Sequence, residues 1–395
     1  MSHRFKGRNE VAIVGYAHSP VRRHADVPLG ALTVETCRQA IADAGLEQHQ
    51  IDGFTTGSIL PSAGGHGSVD GVDIVTATWL AEKLGIHPRW SSGFQGYGQL
   101  PGSFILAAQA IVSGTADYVL VHRALSNPAG KYHENPMTEA HGMAQWTAPQ
   151  GFWGPPAGIA LSCNEYFHRA GATREDLAQV VVGLRANGAE IPWSYWYQRP
   201  ITVDDYLNAR VVADPICIFD CDIPVDGAAA FVLTSAERAA DLPHPPVYIS
   251  GWAQGNPTEP GLAMTWALDD IMAGGARTAA MLWAHTGLTV DDIDHPQLYD
   301  GFSPFIWYWL ESLGYCGPGE ARHFLQDSRA EELQILHSGG ALGNGRMHGV
   351  PQLLDCYLQL SKRAGERQLP NRRTALACHS SPHFGGVMAF SAERF

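Results

Sequence analysis

The feature that most constrains the fold of this chain is a weak repeat between its two halves. In the first half, the strand-like VAIVG (11–15) is followed by the helix-like TVETCRQAIADAG and then by GLEQHQID (45–52). In the second half, the strand-like VYISG (247–251) is followed by the helix-like ARTAAMLWAHTG and then by GLTVDDID (287–294). The Gly-Leu and Ile-Asp pairs have identical spacing, which predicts two similar βαβ-rich halves in which each glycine ends a helix.

A second pair of matched segments consists of glycine-rich bends, SSGFQGYGQLPG (91–102) and SGGALGNGRMHG (338–349). Each bend precedes a helix-like run and then a strand-like run, ADYVLVH in the first half and TALACHS in the second. Proline in the first turn and glycine past the end are typical of helices. Both runs have this pattern, with Pro101 and Gly114 in the first half and Pro351 and Gly365 in the second.

Residues 125–210 interrupt this rhythm and are rich in aromatic residues and proline, as in QWTAPQGFWGPP and IPWSYWYQRP. Long inserted segments in compact proteins commonly cover a functional site. We therefore expect a loop or lid insertion at 125–210, an N-terminal half formed by 1–124 and 211–244, and a C-terminal half formed by 245–395. A purely structural insertion with aromatic packing is the alternative.

The composition argues against several classes of partner. The formal net charge of −13 at pH 7 argues against a nucleic-acid-binding surface and provides no basic stripe for a membrane. No run approaches the ~18 apolar residues of a membrane-spanning helix, and the N-terminus lacks the apolar core of a signal peptide. We therefore predict a cytoplasmic protein that binds neither nucleic acid nor membrane.

The seven cysteines are scattered and mostly lie in apolar surroundings. They predict buried free thiols in a reducing compartment rather than a set of disulfides. The one close pair, Cys217 and Cys221, lacks a second pair of Cys or His ligands. The sequence therefore predicts no metal site.

Six motifs together resemble the thiolase superfamily: VAIVGY, the bend at 91–102, NARVVADPICIFDCDIPVDGAAAFVLT (208–234), LYDGFSPF (298–305), HSGGALGNGRMHG and HSSPHFGGVMAF. The resemblance covers nearly the whole chain. It is strongest for the lipid-transfer-protein branch, which is related to the thiolase part of sterol carrier protein. It implies an α/β fold that is duplicated and arranged in the five layers αβαβα, with an inserted loop domain.

The reactive residues of a thiolase are replaced in this chain. The resemblance places the acyl-accepting cysteine at about Tyr97, the histidine of the GHP loop at Arg346, and the second cysteine at about His383 or Phe384. Without a thiolate, acyl transfer by the usual covalent route is not available. The chain is most similar to the steroid side-chain aldolases, a subgroup without the cysteine. These enzymes cleave a β-hydroxyacyl-CoA by a retro-aldol reaction, which releases a ketone and a short acyl-CoA.

The resemblance also supplies candidate catalytic residues. A catalytic tyrosine in a YDxF motif matches Tyr299, and in the GGALGNGRMHG loop His348 matches whereas Arg346 replaces a functional tyrosine. We expect Tyr299 to be the base, because a neighbouring Arg346 would favour the phenolate. Asp300 either takes part in catalysis or caps a helix, and His348 either donates to the thioester oxygen or bonds the backbone. The candidate catalytic residues are Tyr299, Asp300, Arg346 and His348.

The glycine-rich bends are candidates for holding the thioester oxygen. Glycine lets the backbone approach closely, and N–H groups at a helix N-terminus carry partial positive charge. A steric role in helix packing is the alternative for the first bend, cavity filling for Tyr97, and structural hydrogen bonding for the two histidines. The candidate substrate-binding residues are Gly96, Tyr97, Gly98, Gly340, His379 and His383.

The resemblance implies an acyl-CoA substrate, no cofactor of the chain's own, and a small partner protein with a zinc ribbon and an OB-fold. Zinc is expected only in that partner, and a homodimer core within a heterotetramer follows from the superfamily's dimer. The aromatic insertion at 145–197 is a candidate surface for a polycyclic substrate. Two other functions stay open: a thiolase-like acyltransferase with an atypical active site, and a catalytically silent subunit that binds acyl-CoA or lipid.

Overall fold

The structure of the protein is a computed structural model. Its described strands form one nine-stranded sheet and one two-stranded hairpin. The structure describes residues 5–57, 69–94, 99–126, 144–152, 154–255 and 266–395. The strands are β1 (Val11–His18), β2 (Gly53–Thr56), β3 (Trp90–Gly93), β4 (Tyr118–Leu125), β5 (Val211–Ala213), β6 (Ile216–Cys217), β7 (Gly227–Ser235), β8 (Val247–Gln254), β9 (His295–Gln297), β10 (Thr374–His379) and β11 (Gly386–Ser391).

The helices surround and separate the strands of the large sheet. They are α1 (Leu29–Asp43), α2 (Ala77–Leu84), α3 (Gln99–Val112), α4 (Ala144–Thr147), α5 (Gly154–Ala170), α6 (Arg174–Ala189), α7 (Val203–Leu207), α8 (Ala236–Ala239), α9 (Leu268–Thr286), α10 (Pro304–Leu313), α11 (Ala321–Phe324), α12 (Ser328–Leu333), α13 (Gly340–Asn344) and α14 (Val350–Leu360).

The strand order repeats itself between the two halves. The sheet runs β3-β2-β4-β7-β1-β8-β11-β10-β9, so β2-β4-β7-β1 in the first half matches β9-β10-β11-β8 in the second. The pairing directions match as well, because β2–β4 and β9–β10 are parallel, whereas β4–β7, β7–β1, β10–β11 and β11–β8 are antiparallel. The predicted internal repeat is confirmed.

The repeated Gly and Ile-Asp motifs occupy equivalent places. Gly45 and Gly287 follow α1 and α9 in the left-handed conformation, with φ of 73° and 67°, as predicted for helix ends. Asp52 accepts hydrogen bonds from backbone N–H groups at the start of β4, and Asp294 accepts them at the start of β10. Asp52 therefore ties β2 to β4, and Asp294 ties β9 to β10, which are the matching parallel pairs of the two halves.

Three hydrophobic cores separate the layers. Helices α1 and α2 pack on the outer face of the first half, α3 and α14 lie between the two parts of the sheet, and α9 and α10 cover the second half. Side chains that alternate along a strand contribute to the cores on both faces of the sheet. Val119 and Val121 of β4 belong to the central core, and Leu120 between them belongs to the outer core. The arrangement is the expected αβαβα.

The two central helices end differently. Helix α3 has Pro101 in its first turn and Gly114 past its end with φ of 73°, as predicted. Helix α14 begins with Pro351 in its first turn but ends at Leu360, well before Gly365. Lys362 adopts the left-handed backbone there, with φ of 60°, so Gly365 lies past the end of this helix, as predicted, but is not the residue that ends it.

The segment between β4 and β7 contains two long helices, α5 and α6, instead of mainly loops. They share a core with α10, and Tyr166 of α5 stacks on Trp307 with ring centroids 5.1 Å apart. The sequence suggested a loop because Gly154 and the two following prolines lie in the first turn of α5, where a helix tolerates them. Farther along, the ring of Trp193 packs on the ring of His18. This aromatic side chain of the 145–197 segment, a candidate substrate surface, therefore packs within the protein.

Two further predictions concern thiols and membranes. All seven cysteines are free and five of them are buried, so the expected thiols are confirmed. Across the described parts of the chain, no helix combines the length and the apolar character needed to cross a bilayer.

A buried cluster joins β9 to α14. His295 Nε2 and His337 Nδ1 lie 2.8 and 2.9 Å from the same oxygen, Asp355 Oδ2. These separations are those of direct hydrogen bonds and need no metal ion. Burial alone would raise the pKa of Asp355, but the hydrogen bonds from the two histidines outweigh burial and hold this pKa below the usual range.

Replacing Asp355 by Asn is expected to lower the free energy of unfolding by about 3 kcal/mol at neutral pH, because two buried histidines lose a charged partner. The folded-state pKa of Asp355 is depressed, so its contribution is present above about pH 4 and is lost as the pH falls. Urea unfolding across this pH range should show a shallower acid dependence for the variant. The exposed Asp291, which pairs with Arg329, provides the control Asp291→Asn. Equal acid slopes for Asp355→Asn and the wild type would contradict this role.

Candidate active site

Three of the predicted residues meet beside the ends of β9 and β10. Tyr299 follows β9, His379 ends β10, and His348 precedes α14. The rings of Tyr299 and His379 have centroids 5.3 Å apart, and those of His348 and His379 are 6.2 Å apart. All three side chains are buried, with 2–8% of their surface exposed. The structure therefore assembles these rings from segments that are far apart in the sequence.

The loop before α14 is shaped to bring His348 to this place. His348 has a left-handed backbone with φ of 47°, which is uncommon for a residue other than glycine. Gly349 follows with φ of 83°, and a Cβ there would lie 2.8 Å from the His379 ring. The glycines of GNGRMHG thus allow the close approach of two histidines.

Arg123 on β4 is a site residue that the sequence analysis missed. It is 1% exposed, donates to Gly57 O at 2.7 Å, and contacts His348 Nδ1 with its other terminal nitrogen. Because a guanidinium only donates, Nδ1 of His348 accepts, and the proton of the neutral ring lies on Nε2. The sequence indicated Arg123 only as a charged residue inside the apolar strand VLVHRAL.

Both active-site histidines are neutral at physiological pH. Burial, together with Arg346, Arg123 and His379, holds the pKa of His348 well below its ordinary value. Burial and Arg123 lower the pKa of His379 to about 3. Neutral His348 therefore offers an Nε2–H donor, as expected for a group that binds a thioester oxygen.

Asp300 caps helix α13. Its buried carboxylate accepts hydrogen bonds from the N–H groups of Ala341 and Leu342, at 2.7 and 2.9 Å, and from the Gln352 amide at 2.7 Å. Burial raises the pKa of Asp300 to about 7, and these hydrogen bonds oppose the rise. Of the roles considered for Asp300, its contacts favour the helix cap.

Gly340 makes room for this cap. Its φ is 57°, and a Cβ would lie 2.1 Å from Asp300 Oδ2. Its N–H donates to Ser338 Oγ at 3.2 Å. This N–H is therefore engaged within the protein, and the role of Gly340 in holding the thioester oxygen stays a prediction.

Arg346 lies at the more accessible edge of the site, with 22% of its side chain exposed. Its Nε is 3.9 Å from Asp222 Oδ1, and its backbone N–H donates to Ile223 O at 2.9 Å. Asp222 was not among the site residues predicted from the sequence. Its signal was a second acid in DCDIPVDG, within one of the motifs that carry the family resemblance.

The expected phenolate at Tyr299 is wrong. Burial raises the pKa of Tyr299 above its ordinary value and Asp222 adds to the rise, whereas Arg346 opposes it without prevailing. The sequence pattern indicated the neighbouring arginine but not the desolvation or the carboxylate. Tyr299 keeps its proton and is better suited to donate it than to accept one.

The remaining predicted residues lie apart or outside the described chain. His383 is fully buried in the turn after β10, with Nδ1 2.9 Å from Ser381 Oγ and its ring against Phe384. Gly96, Tyr97 and Gly98 lie outside the described residues, so their roles stay predictions.

Known proteins resemble this chain in sequence and in fold. The family profile described as Thiolase C-terminal domain-like matches residues 264–392. A protein of Mycobacterium tuberculosis named 17-hydroxy-3-oxo-4-pregnene-20-carboxyl-CoA lyase is 33% identical over 366 residues, which span 89% of this chain and 91% of the relative. The chain belongs to the thiolase-like family.

Two further relatives of this thiolase-like chain are aldolases. The steroid side-chain-cleaving aldolase of Thermomonospora curvata is 33% identical over 333 residues, which span 81% of this chain and 82% of the relative. The solved structure named Ltp2-ChsH2(DUF35) aldolase is 30% identical, with a TM-score of 0.86 over 98% of this chain and 99% of that one. These comparisons confirm the predicted family, its aldolase branch and the thiolase fold.

Proposed function

We propose that this thiolase-like chain cleaves a β-hydroxyacyl-CoA by a retro-aldol reaction. The β-carbon carries a steroid or similarly hydrophobic group, and the products are a ketone and a short acyl-CoA. The buried group of Tyr299, His348 and His379 carries the proposal, because it offers proton donors and no thiolate. Relatives named as a lyase and as a steroid side-chain-cleaving aldolase, each 33% identical, support the substrate class.

The reaction needs a base for the β-hydroxyl, a donor for the enolate oxygen and an acid for the α-carbon. The Nε2–H of His348 is suited to the enolate oxygen, because Arg123 fixes the tautomer of the ring. The phenol of Tyr299 keeps its proton and is suited to the α-carbon. A single donor to a developing oxyanion contributes about 3 kcal/mol to catalysis.

A thiolase-like acyl transfer is the alternative, and two described cysteines lie beside the candidate site: Cys221 forms a β-bridge with Phe302, and Cys378 directly precedes His379. Burial raises the pKa of Cys378 well above its ordinary value. Burial, Asp220 and Asp222 raise the pKa of Cys221 well above its ordinary value. The thiolate is the nucleophilic form of cysteine, so this environment disfavours covalent acyl transfer.

A partner protein is part of the proposal. The similar solved structure is named for Ltp2 together with a ChsH2(DUF35) component. By analogy, this chain would pair with a small protein that carries a zinc ribbon and an OB-fold, and zinc would reside there. A homodimer core in a heterotetramer, a cytoplasmic location and the lack of a cofactor of its own belong to the same proposal.

The experiment compares two CoA thioesters that differ by one hydroxyl group. Both carry a ring system on the β-carbon, and only one carries a β-hydroxyl. The chain, co-expressed with a DUF35-type partner, should release a ketone from the hydroxylated thioester and leave the other intact. Cleavage of both thioesters, or of neither, would contradict the proposal.

A further inference from the structure

Asp222 is held between the two loops that form the candidate site. Its backbone N–H donates to Gly301 O at 3.3 Å, which fixes it to the loop of Tyr299. The next residue, Ile223, accepts the backbone N–H of Arg346 at 2.9 Å. The Asp222 carboxylate lies 3.9 Å from Arg346 Nε and is close enough to Tyr299 for its charge to raise the pKa of that phenol.

The carboxylate of Asp222 is buried without the hydrogen bonds that a structural carboxylate normally has. Asp222 is 3% exposed, and its charged neighbour is Arg346 at 3.9 Å, beyond hydrogen-bond distance. Within the described ranges the structure gives this carboxylate no hydrogen bond, whereas Asp300 nearby has three donors. Burying a carboxylate in this way is unfavourable, and such groups concentrate at functional sites.

We propose that Asp222 is the general base that removes the proton of the substrate's β-hydroxyl, with Arg346 as its charged neighbour. This role rests on the proposed retro-aldol function. It also replaces Tyr299 as the base and leaves that tyrosine to act as the acid.

The proton and electron movements balance within the site. The Asp222 carboxylate takes the β-hydroxyl proton, and the electron pair of that O–H bond forms the C=O bond of the ketone. The bond between the α- and β-carbons breaks, and its electron pair enters the enolate of the thioester. Tyr299 delivers its proton to the α-carbon, which completes the short acyl-CoA. The proton on Asp222 then returns to the phenolate, so no co-reactant is needed.

The charges around Asp222 suit a base that works near neutral pH. Burial raises the pKa of Asp222 to about 7, Arg346 opposes the rise, and Asp300 adds to it. Tyr299 and Cys221 face the same carboxylate and are neutral, because burial raises the pKa of each. The raised pKa means that kcat/KM should increase with pH as the Asp222 carboxyl loses its proton.

The test replaces one carboxylate by an amide. Asp222→Asn should lower kcat by about 100-fold or more and remove the acid limb of the pH profile. Asp226→Asn is the matched control in the same segment, because an amide oxygen there still accepts the hydrogen bond from Ala25 N–H. Circular dichroism and thermal unfolding compare the folding of both variants. Near-wild-type kcat for folded Asp222→Asn would overturn the proposal.

A second variant keeps the test decisive if Asp222→Asn does not fold. Arg346 lowers the pKa of Asp222, so Arg346→Gln should move the acid limb of kcat/KM to higher pH. An acid limb in the same place as in the wild type would contradict the assignment. Ketone release by the wild type separates the two claims: cleavage with unchanged variants overturns only the role of Asp222, and no cleavage overturns the proposed function as well.

Discussion

Replacement of Tyr299 by Phe is expected to lower kcat for ketone release by about 100-fold or more, because it removes the proposed acid. The ring packs against His379 and Phe305, with centroids 5.3 and 6.4 Å away. Phenylalanine keeps these contacts and loses only the hydroxyl. We therefore expect the thermal unfolding temperature and KM to change little.

Tyr308→Phe is the matched control for this variant. Tyr308 is also buried, on the adjacent helix α10, and its hydroxyl donates a hydrogen bond to Ser162 Oγ at 3.2 Å. Losing that hydrogen bond should reduce the free energy of unfolding by about 1 kcal/mol without affecting kcat. Steady-state kinetics with a quantified ketone product measure both variants. A Tyr299→Phe enzyme that cleaves as fast as Tyr308→Phe would remove Tyr299 from the mechanism.

Replacement of Gly340 by Ala is expected to have the largest effect on stability. The added Cβ would lie 2.1 Å from Asp300 Oδ2 and would displace the carboxylate that caps α13. Backbone strain at φ of 57° adds to this clash. We expect the free energy of unfolding to fall by about 3 kcal/mol or more, and activity to fall with it, since Asp300 directly follows Tyr299.

Gly365→Ala separates backbone strain from the clash. Gly365 has a similar φ of 59°, but its added Cβ would meet no atom within 4 Å. This control should cost only about 1 kcal/mol, the ordinary strain of a left-handed alanine. Urea denaturation of both variants measures the difference. Equal losses for the two variants would show that the Asp300 contact contributes nothing.

The architecture followed from the sequence because its signals are local and occur twice. Gly45 and Gly287 end equivalent helices, and Asp52 and Asp294 bind equivalent strand starts, as their matched spacing predicted. The helical insertion was less accessible, because a glycine and two prolines at the start of α5 resemble a loop. Whether a proline starts a helix or interrupts one depends on the packing that follows.

The site was predictable where a residue belongs to a distinctive motif, as for Tyr299 and His348. Arg123 and Asp222 are close to these residues only in the folded chain, and their own segments indicate a buried strand and a turn. The protonation of Tyr299 was also beyond the sequence, because it depends on burial and on a carboxylate from another segment. Tertiary contacts therefore determined both the missing residues and the protonation on which the proposed direction of proton transfer rests.

A product balance tests most directly the central claim that this thiolase-like chain breaks a carbon–carbon bond without acyl transfer. A β-hydroxyacyl-CoA with a hydrophobic β-substituent is incubated with the chain and its partner, and ketone, short acyl-CoA and free CoA thiol are each quantified. We expect ketone and short acyl-CoA in equal amounts, with free CoA neither needed nor consumed. A parallel incubation supplies the matching β-keto thioester with free CoA. Cleavage of that thioester into two acyl-CoA products, with no ketone released from the β-hydroxyacyl-CoA, would contradict the claim.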